Sequence, residues 1–112
     1  MENLKIMVVD DSNTIRKSAE LFLSKAGYNV VCVEDGLELL TKIEDEQPDL
    51  VFIDVMMPKI DGLQACQIIR RNPKFNDVPI IFLSSRDSQF DKARGLMVGG
   101  NDYLTKPFAK DG

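Results

Sequence analysis

The chain has no histidine and no tryptophan, only two cysteines, and aromatic side chains at just 7%. Without histidine, imidazole-based catalytic triads, most zinc sites and a role as a phosphohistidine donor are excluded. Cys32 and Cys66 stand in apolar stretches with no CxxC spacing and are expected as buried core thiols in a reducing cytosol. A basic run is missing too. Lysine and arginine number 14 against 18 aspartates and glutamates, a net charge of −4, so direct nucleic-acid binding lacks the clustered positive footprint it needs. No segment approaches the length of a membrane span, so no membrane insertion is expected. Lys5 and Asp10 bracket an apolar run too short for the core of a secretion signal. A cytoplasmic protein is expected.

What remains is an ordinary globular balance, 44% hydrophobic and 29% charged in 112 residues, enough for one domain with a real core. Short apolar runs alternate with amphipathic stretches. Ile6 to Val9, Val30 to Val33, Leu50 to Ile53 and Ile80 to Leu83 are continuous and rich in β-branched residues, which suits parallel strands covered on both faces. Asp102 to Thr105 is expected as a short fifth strand. Ile15, Ala19, Phe22 and Ala26 share one helical face, with Ser12 as N-cap and Gly27 just past the end. Leu37, Leu40 and Ile43 mark a second helix stopped near Gln47 and Pro48. Leu63, Cys66 and Ile69 mark a third ending before Asn72 and Pro73, and Phe90, Ala93 and Met97 a fourth ending at Gly99 and Gly100. The order βαβαβαβαβ predicts an α/β fold with a doubly wound five-stranded parallel sheet. Three helices on one face would leave only the first for the other. A final helix is therefore expected to be missing, or a partner or second copy is expected to cover that face.

In an open sheet of this kind, ligands sit beyond the carboxyl ends of the strands. Those ends carry Asp10 and Asp11, then Asp54, then Ser84 and Ser85, then Lys106. Two unit charges about 4 Å apart repel by about 4 kcal/mol at an effective dielectric near 20, so three gathered carboxylates demand cations. Lys106 supplies one, and an all-oxygen site favours Mg²⁺ for the rest. A carboxylate beside Mg²⁺ and a lysine suits an incoming phosphoryl group, with Asp54 as nucleophile and the Ser84 hydroxyl on a phosphoryl oxygen. The plainer reading is that Asp10 and Asp11 cap the first helix and Asp54 begins a turn.

Five ordered stretches carry a family resemblance: Met7 to Ser12, Phe52 to Pro58, Asp61-Gly62, Leu83 to Ser85, and Tyr103 to Phe108. Together they resemble the signature of response-regulator receiver domains over essentially the whole chain. The resemblance implies a CheY-like, flavodoxin-like sheet of order 2-1-3-4-5. It also implies phosphorylation at Asp54, with Asp11, Asp54 and the Met56 carbonyl as Mg²⁺ ligands and Asp10 acting largely through water. Lys106 then pairs with the phosphoryl group and precedes a cis bond to Pro107. Ser84 and Tyr103 resemble the switch pair, although Tyr103 also reads as a half-buried strand aromatic. Met56 and Arg86 occupy the two flanking positions that tune attack of water on the acyl phosphate, or else are solvated surface side chains.

No stretch resembles an output module, so a single-domain regulator docking on a downstream protein target is expected. The stretches 11–20 and 83–95 are similar to stand-alone regulators of type IV pilus twitching motility, of the PilG kind. That implies a chemotaxis-like system and a CheA-like histidine kinase as phosphodonor. Two other classes compete: a degenerate receiver working by constitutive binding, and a Mg²⁺-dependent aspartate-nucleophile phosphatase. The first would have lost Asp54 or Lys106. The second wants an acid at the position of Met56.

Overall fold

A computed structural model of the chain describes residues 4–106. Five parallel strands form one sheet: β1 (Lys5–Val9), β2 (Asn29–Val33), β3 (Leu50–Asp54), β4 (Ile80–Ser84) and β5 (Asp102–Thr105). Their order is β2-β1-β3-β4-β5, the expected arrangement. Between them run α1 (Asn13–Lys25), α2 (Gly36–Glu46), α3 (Gly62–Arg70) with a 3₁₀ turn at Pro73–Phe75, and α4 (Gln89–Met97). Pairing places Val9 beside Ile53 and Asp54 beside Leu83, so the polar residues at or just past these strand ends come out at one edge.

Each helix begins where a short polar side chain accepts a backbone N–H that the helix leaves unpaired. Ser12, Asp35, Asp61 and Ser88 do this, and Asp61 exchanges both bonds of a capping box with Gln64. Gly27 follows α1 at a φ of +100°, as expected from the sequence.

The central strands are buried on both faces. Met7, Val9, Val51, Ile53, Ile80 and Phe82 pack under α2 and α3 through Leu39, Ile43, Leu63, Cys66 and Ile69. Each such side chain contributes about 1.5–3 kcal/mol on burial. Gly95 of α4 lies against the Phe82 and Tyr103 rings on that same face. The opposite face holds Ile6, Val8 and Ala19, with Leu23, Val30, Leu50 and Phe52 beside them. Among the described residues α1 is the only helix there. Among the described residues an apolar groove of about 210 Å³ lies next to it, lined by Val8, Phe22, Phe52, Leu83 and Leu104 among others.

Three helical stripes differ from expectation. In α1, Ala19 is buried but Phe22 is exposed, because it borders that groove. In α2 the inward stripe is Gly36, Leu39 and Ile43, and Leu37 points outward. A helix rich in leucine offers two apolar phases, and the close fit of Gly36 against Ile60 selects one. In α4 the stripe is reversed: Phe90 is 71% and Met97 84% exposed, and only Gly95 is buried. A Cβ at position 95 would come to 3.0 Å from both rings, so a side chain there would require the rings to give way. The thiol of Cys66 is in the core as expected, whereas Cys32 is half-buried because β2 is an edge strand.

Candidate functional site

The edge at the carboxyl ends of the strands gathers the charged groups singled out above. Asp10 follows β1 and is fully buried; Asp54 closes β3 and is 4% exposed. Asp10, Asp11 and Asp54 each offer a carboxylate oxygen, and the three lie within 4.8 Å of one another. Lys106, just past β5, places its ammonium 2.9 Å from Asp10 Oδ2 and 3.3 Å from Asp54 Oδ1. Its own backbone N–H donates to the Ser84 carbonyl at 2.7 Å, which fixes the end of β5 against β4.

The charges are unevenly balanced. Burial first, then repulsion from Asp10, pushes the Asp54 carboxyl up to about 6, against the opposing pull of Lys106. Burial lowers the Lys106 ammonium, but Asp10 and Asp54 together outweigh it and hold its pKa above the ordinary value. One lysine thus compensates the acids only in part. Asp10 Oδ1 accepts the Ser12 N–H at 2.9 Å, while Asp10 Oδ2 is buried without a well-aligned donor. The lysine beside it acts as a nearby charge more than a directed hydrogen bond. A buried carboxylate oxygen lacking a donor, at the centre of three converging acids, fits a hard divalent cation bound through oxygen.

Local sequence explains why Asp54 is held so firmly. The Met56 N–H reaches back to Asp54 Oδ1 at 3.4 Å, and the Gly62 N–H donates to the Val55 carbonyl at 2.9 Å. A Cβ at position 62 would come within 2.4 Å of the Asp54 carbonyl oxygen. Only glycine lets α3 start this close to the strand end. Lys59, in the same loop, adopts a φ of +71° and lies 3.7 Å from Asp35 at the start of α2.

Ser84 is buried beside this cluster, and its Oγ accepts the Arg86 N–H at 3.0 Å. Tyr103 is half-buried, tilted against Phe82 with ring centroids 6.3 Å apart, and its hydroxyl donates to the Arg86 carbonyl at 2.9 Å. Tyr103 is thus a half-buried strand aromatic, as one of the two readings expected, and its hydroxyl ties it to the loop after Ser84. Met56 and Arg86 are exposed, and both line a small cavity of about 70 Å³ next to Asp91 and Tyr103. The expected cis bond between Lys106 and Pro107, and Phe108, lie outside the described residues.

Sequence reasoning singled out neither Asp91 nor Arg70. Asp91 lies 3.5 Å from the Arg86 guanidinium, and its only trace in the sequence is the Ser88-x-x-Asp91 capping pattern. Arg70 donates to the carbonyls of Gly99, Phe75, Asn76 and Val78 and to Asn101 Oδ1, binding α3 to the loops on either side of β4. No local pattern marks it, since every partner is set by the tertiary fold.

A wound parallel sheet whose carboxyl edge gathers three acids, a lysine and a buried serine defines a class of α/β domain with one charged cleft. The chain belongs to the response regulator receiver domain family, whose model matches residues 6–112. It is thus a receiver domain of a two-component response regulator, and receiver domains are signalling proteins. Protein PilG of Pseudomonas aeruginosa is 50% identical over 110 residues, 98% of this chain and 82% of that protein. Chemotaxis protein CheY4 of Vibrio cholerae superposes with a TM-score of 0.92 at 34% identity, covering 96% of this chain and 89% of that one. The receiver domain of a sensor histidine kinase from Pseudomonas aeruginosa superposes with a TM-score of 0.87 at 34% identity, covering 96% and 88%; it was solved with a magnesium ion coordinated in its active site cleft. Among the described residues, no helix is long and apolar enough to cross a membrane.

Proposed function

We propose that the protein accepts a phosphoryl group on Asp54 from a histidine kinase and uses the modified state to switch a protein–protein contact. The observation that carries this is the Asp10–Asp11–Asp54 cluster with Lys106 against two of its members. At neutral pH a carboxyl with a pKa of about 6 is mostly ionised, so Asp54 has the lone pair it needs. One of its oxygens attacks phosphorus as the phosphorus–nitrogen bond of the donor imidazole breaks, and that electron pair stays with the imidazole. Lys106 stands where charge gathers on the transferred oxygens. Asp11, Asp54 and the Met56 carbonyl, with Asp10 acting largely through water, would hold a magnesium ion, which would supply the remaining charge neutralisation.

Ser84 and Tyr103 form the switch. Ser84 Oγ accepts from Arg86, and among the described residues its hydroxyl proton has no acceptor, leaving it for a phosphoryl oxygen. Tyr103 bonds the same loop from the other side. Movement of Ser84 toward the phosphoryl group shifts the population of loop and ring arrangements by the free energy of these contacts. Met56 and Arg86 flank the site and order or hinder the water that hydrolyses the acyl phosphate. Met56→Ala and Arg86→Ala with unchanged dephosphorylation would remove that role.

The likeness to PilG supports a place in a chemotaxis-like system governing type IV pilus twitching motility, with a CheA-like kinase as donor, a downstream protein as target and a cytoplasmic location. Flagellar-type chemotaxis is the competing assignment. Incubation with acetyl phosphate and Mg²⁺ tests the chemistry: a stoichiometric, base-labile adduct on Asp54 is expected, and none on Asp54→Asn. No adduct would make this a constitutive binding module, and sustained release of phosphate would make it an enzyme.

A further inference from the structure

Arg86 engages three neighbours at once. Its N–H is on Ser84 Oγ, its carbonyl takes the Tyr103 hydroxyl, and its guanidinium Nε lies 3.5 Å from Asp91 Oδ1. Asp91 is the third residue of α4. Its Oδ2 accepts the Ser88 hydroxyl at 2.6 Å and its N–H donates to Ser88 Oγ at 3.0 Å. The Asp91 side chain is 12% exposed and that of Arg86 is 59% exposed. The aspartate is the anchored partner, then, and the arginine the one with room to swing. Ser88 first, with Arg86 and Arg94 behind it, holds the Asp91 carboxyl below the usual range against the opposing effect of burial.

The position of this pair matters because of what adjoins it. Arg86, Asp91, Met56 and Tyr103 share the wall of one small cavity, and Met56 is hydrogen-bonded through its N–H to Asp54. The guanidinium is thus held by a fixed carboxylate on α4 in a cavity whose wall includes Met56, two residues past Asp54, and a phosphoryl group on Asp54 would be a second anionic attractor for it. While bound to Asp91 it is drawn back onto the helix. Released, it is free to pair with phosphoryl oxygens and occlude the line of approach of water.

We propose that Asp91 is a positioning residue for the phosphoryl site, setting the lifetime of the acyl phosphate by competing for the Arg86 guanidinium. This rests on Asp54 being the phosphoacceptor. The pair is partly solvated and of modest strength, so the expected effect is about threefold in rate.

The full chain and its Asp91→Asn, Arg86→Ala, Arg86→Lys and doubly substituted Arg86→Ala/Asp91→Asn variants are loaded with acetyl phosphate and Mg²⁺. The donor is then removed and adduct loss followed by intact mass. Asp91→Asn keeps an acceptor for Ser88, and thermal unfolding checks that α4 is intact. The expected result is adduct loss about threefold slower in Asp91→Asn. That slowing vanishes in the Arg86→Ala background, and Arg86→Lys retains part of the coupling. An unchanged lifetime in Asp91→Asn, or an equal change with and without Arg86, overturns the proposal while leaving Asp54 as phosphoacceptor. Absence of any adduct on the unsubstituted chain overturns both.

Discussion

Replacing Asp54 with asparagine is expected to stabilise the metal-free protein, and to do so only above mildly acidic pH. The carboxyl is raised from 3.8 to about 6, chiefly by burial and then by Asp10, with the attraction of Lys106 already offsetting part of the cost. Below about pH 4 it is protonated in folded and unfolded chains alike, so the substitution changes little. As pH rises through 4 to 6 the unfolded chain gives up its proton while the folded one keeps it, and stability falls. Above the folded value the penalty is complete. At 1.36 kcal/mol per pKa unit its ceiling is about 3 kcal/mol. Asparagine keeps the shape without the charge, so a gain of about 2 kcal/mol is expected at pH 8, on the order of 10 °C in Tm. Urea unfolding followed by circular dichroism in the presence of a chelator, at pH 4 and pH 8, reads this directly. A gain of the same size at both pH values, or a loss at pH 8, would refute the claim that crowded charge at Asp54 is the cause.

Metal and packing give three further expectations. Excess Mg²⁺ is expected to raise the unfolding midpoint of the unsubstituted chain, by about 2.7 kcal/mol at a hundredfold excess over Kd, and to do little for Asp11→Asn or Asp54→Asn; equal shifts in all three would place the ion elsewhere. Gly62→Ala forces a Cβ onto the Asp54 carbonyl and is expected to cost about 1–3 kcal/mol in urea unfolding. Arg70→Met removes five donor contacts that join α3 to the loops around β4. It is expected to cost about 2–4 kcal/mol, with faster amide exchange near Asn101 as the local sign.

Strand identity was legible because the apolar runs are short, continuous and punctuated by Asp, Gly and Pro, whereas the order of the strands in the sheet was given by the family resemblance. α3 was legible because Leu63, Cys66 and Ile69 allow only one inward phase. The phase of α2 was not, since Leu37, Leu39 and Leu40 satisfy two, and the choice falls to contact with Ile60. The face of α4 was hidden for a similar reason: its burial rests on Gly95, a residue with no hydropathy signal. The acids at the strand ends could be named in advance because topology alone sends those ends to one edge. Whether they meet closely enough to repel could not.

By itself the sequence determined the alternation of strand and helix, hence a wound parallel sheet, and the residue types waiting at its carboxyl edge. Those are matters of period and chain direction, which are local. The tertiary structure decided which helix faces are inward, that Asp10 Oδ2 is buried without an aligned donor, that Asp54 is pushed up to about 6, and that Arg86 leans on Asp91. These depend on distances between groups far apart in the chain, and a carboxylate's energy is set by what surrounds it in space.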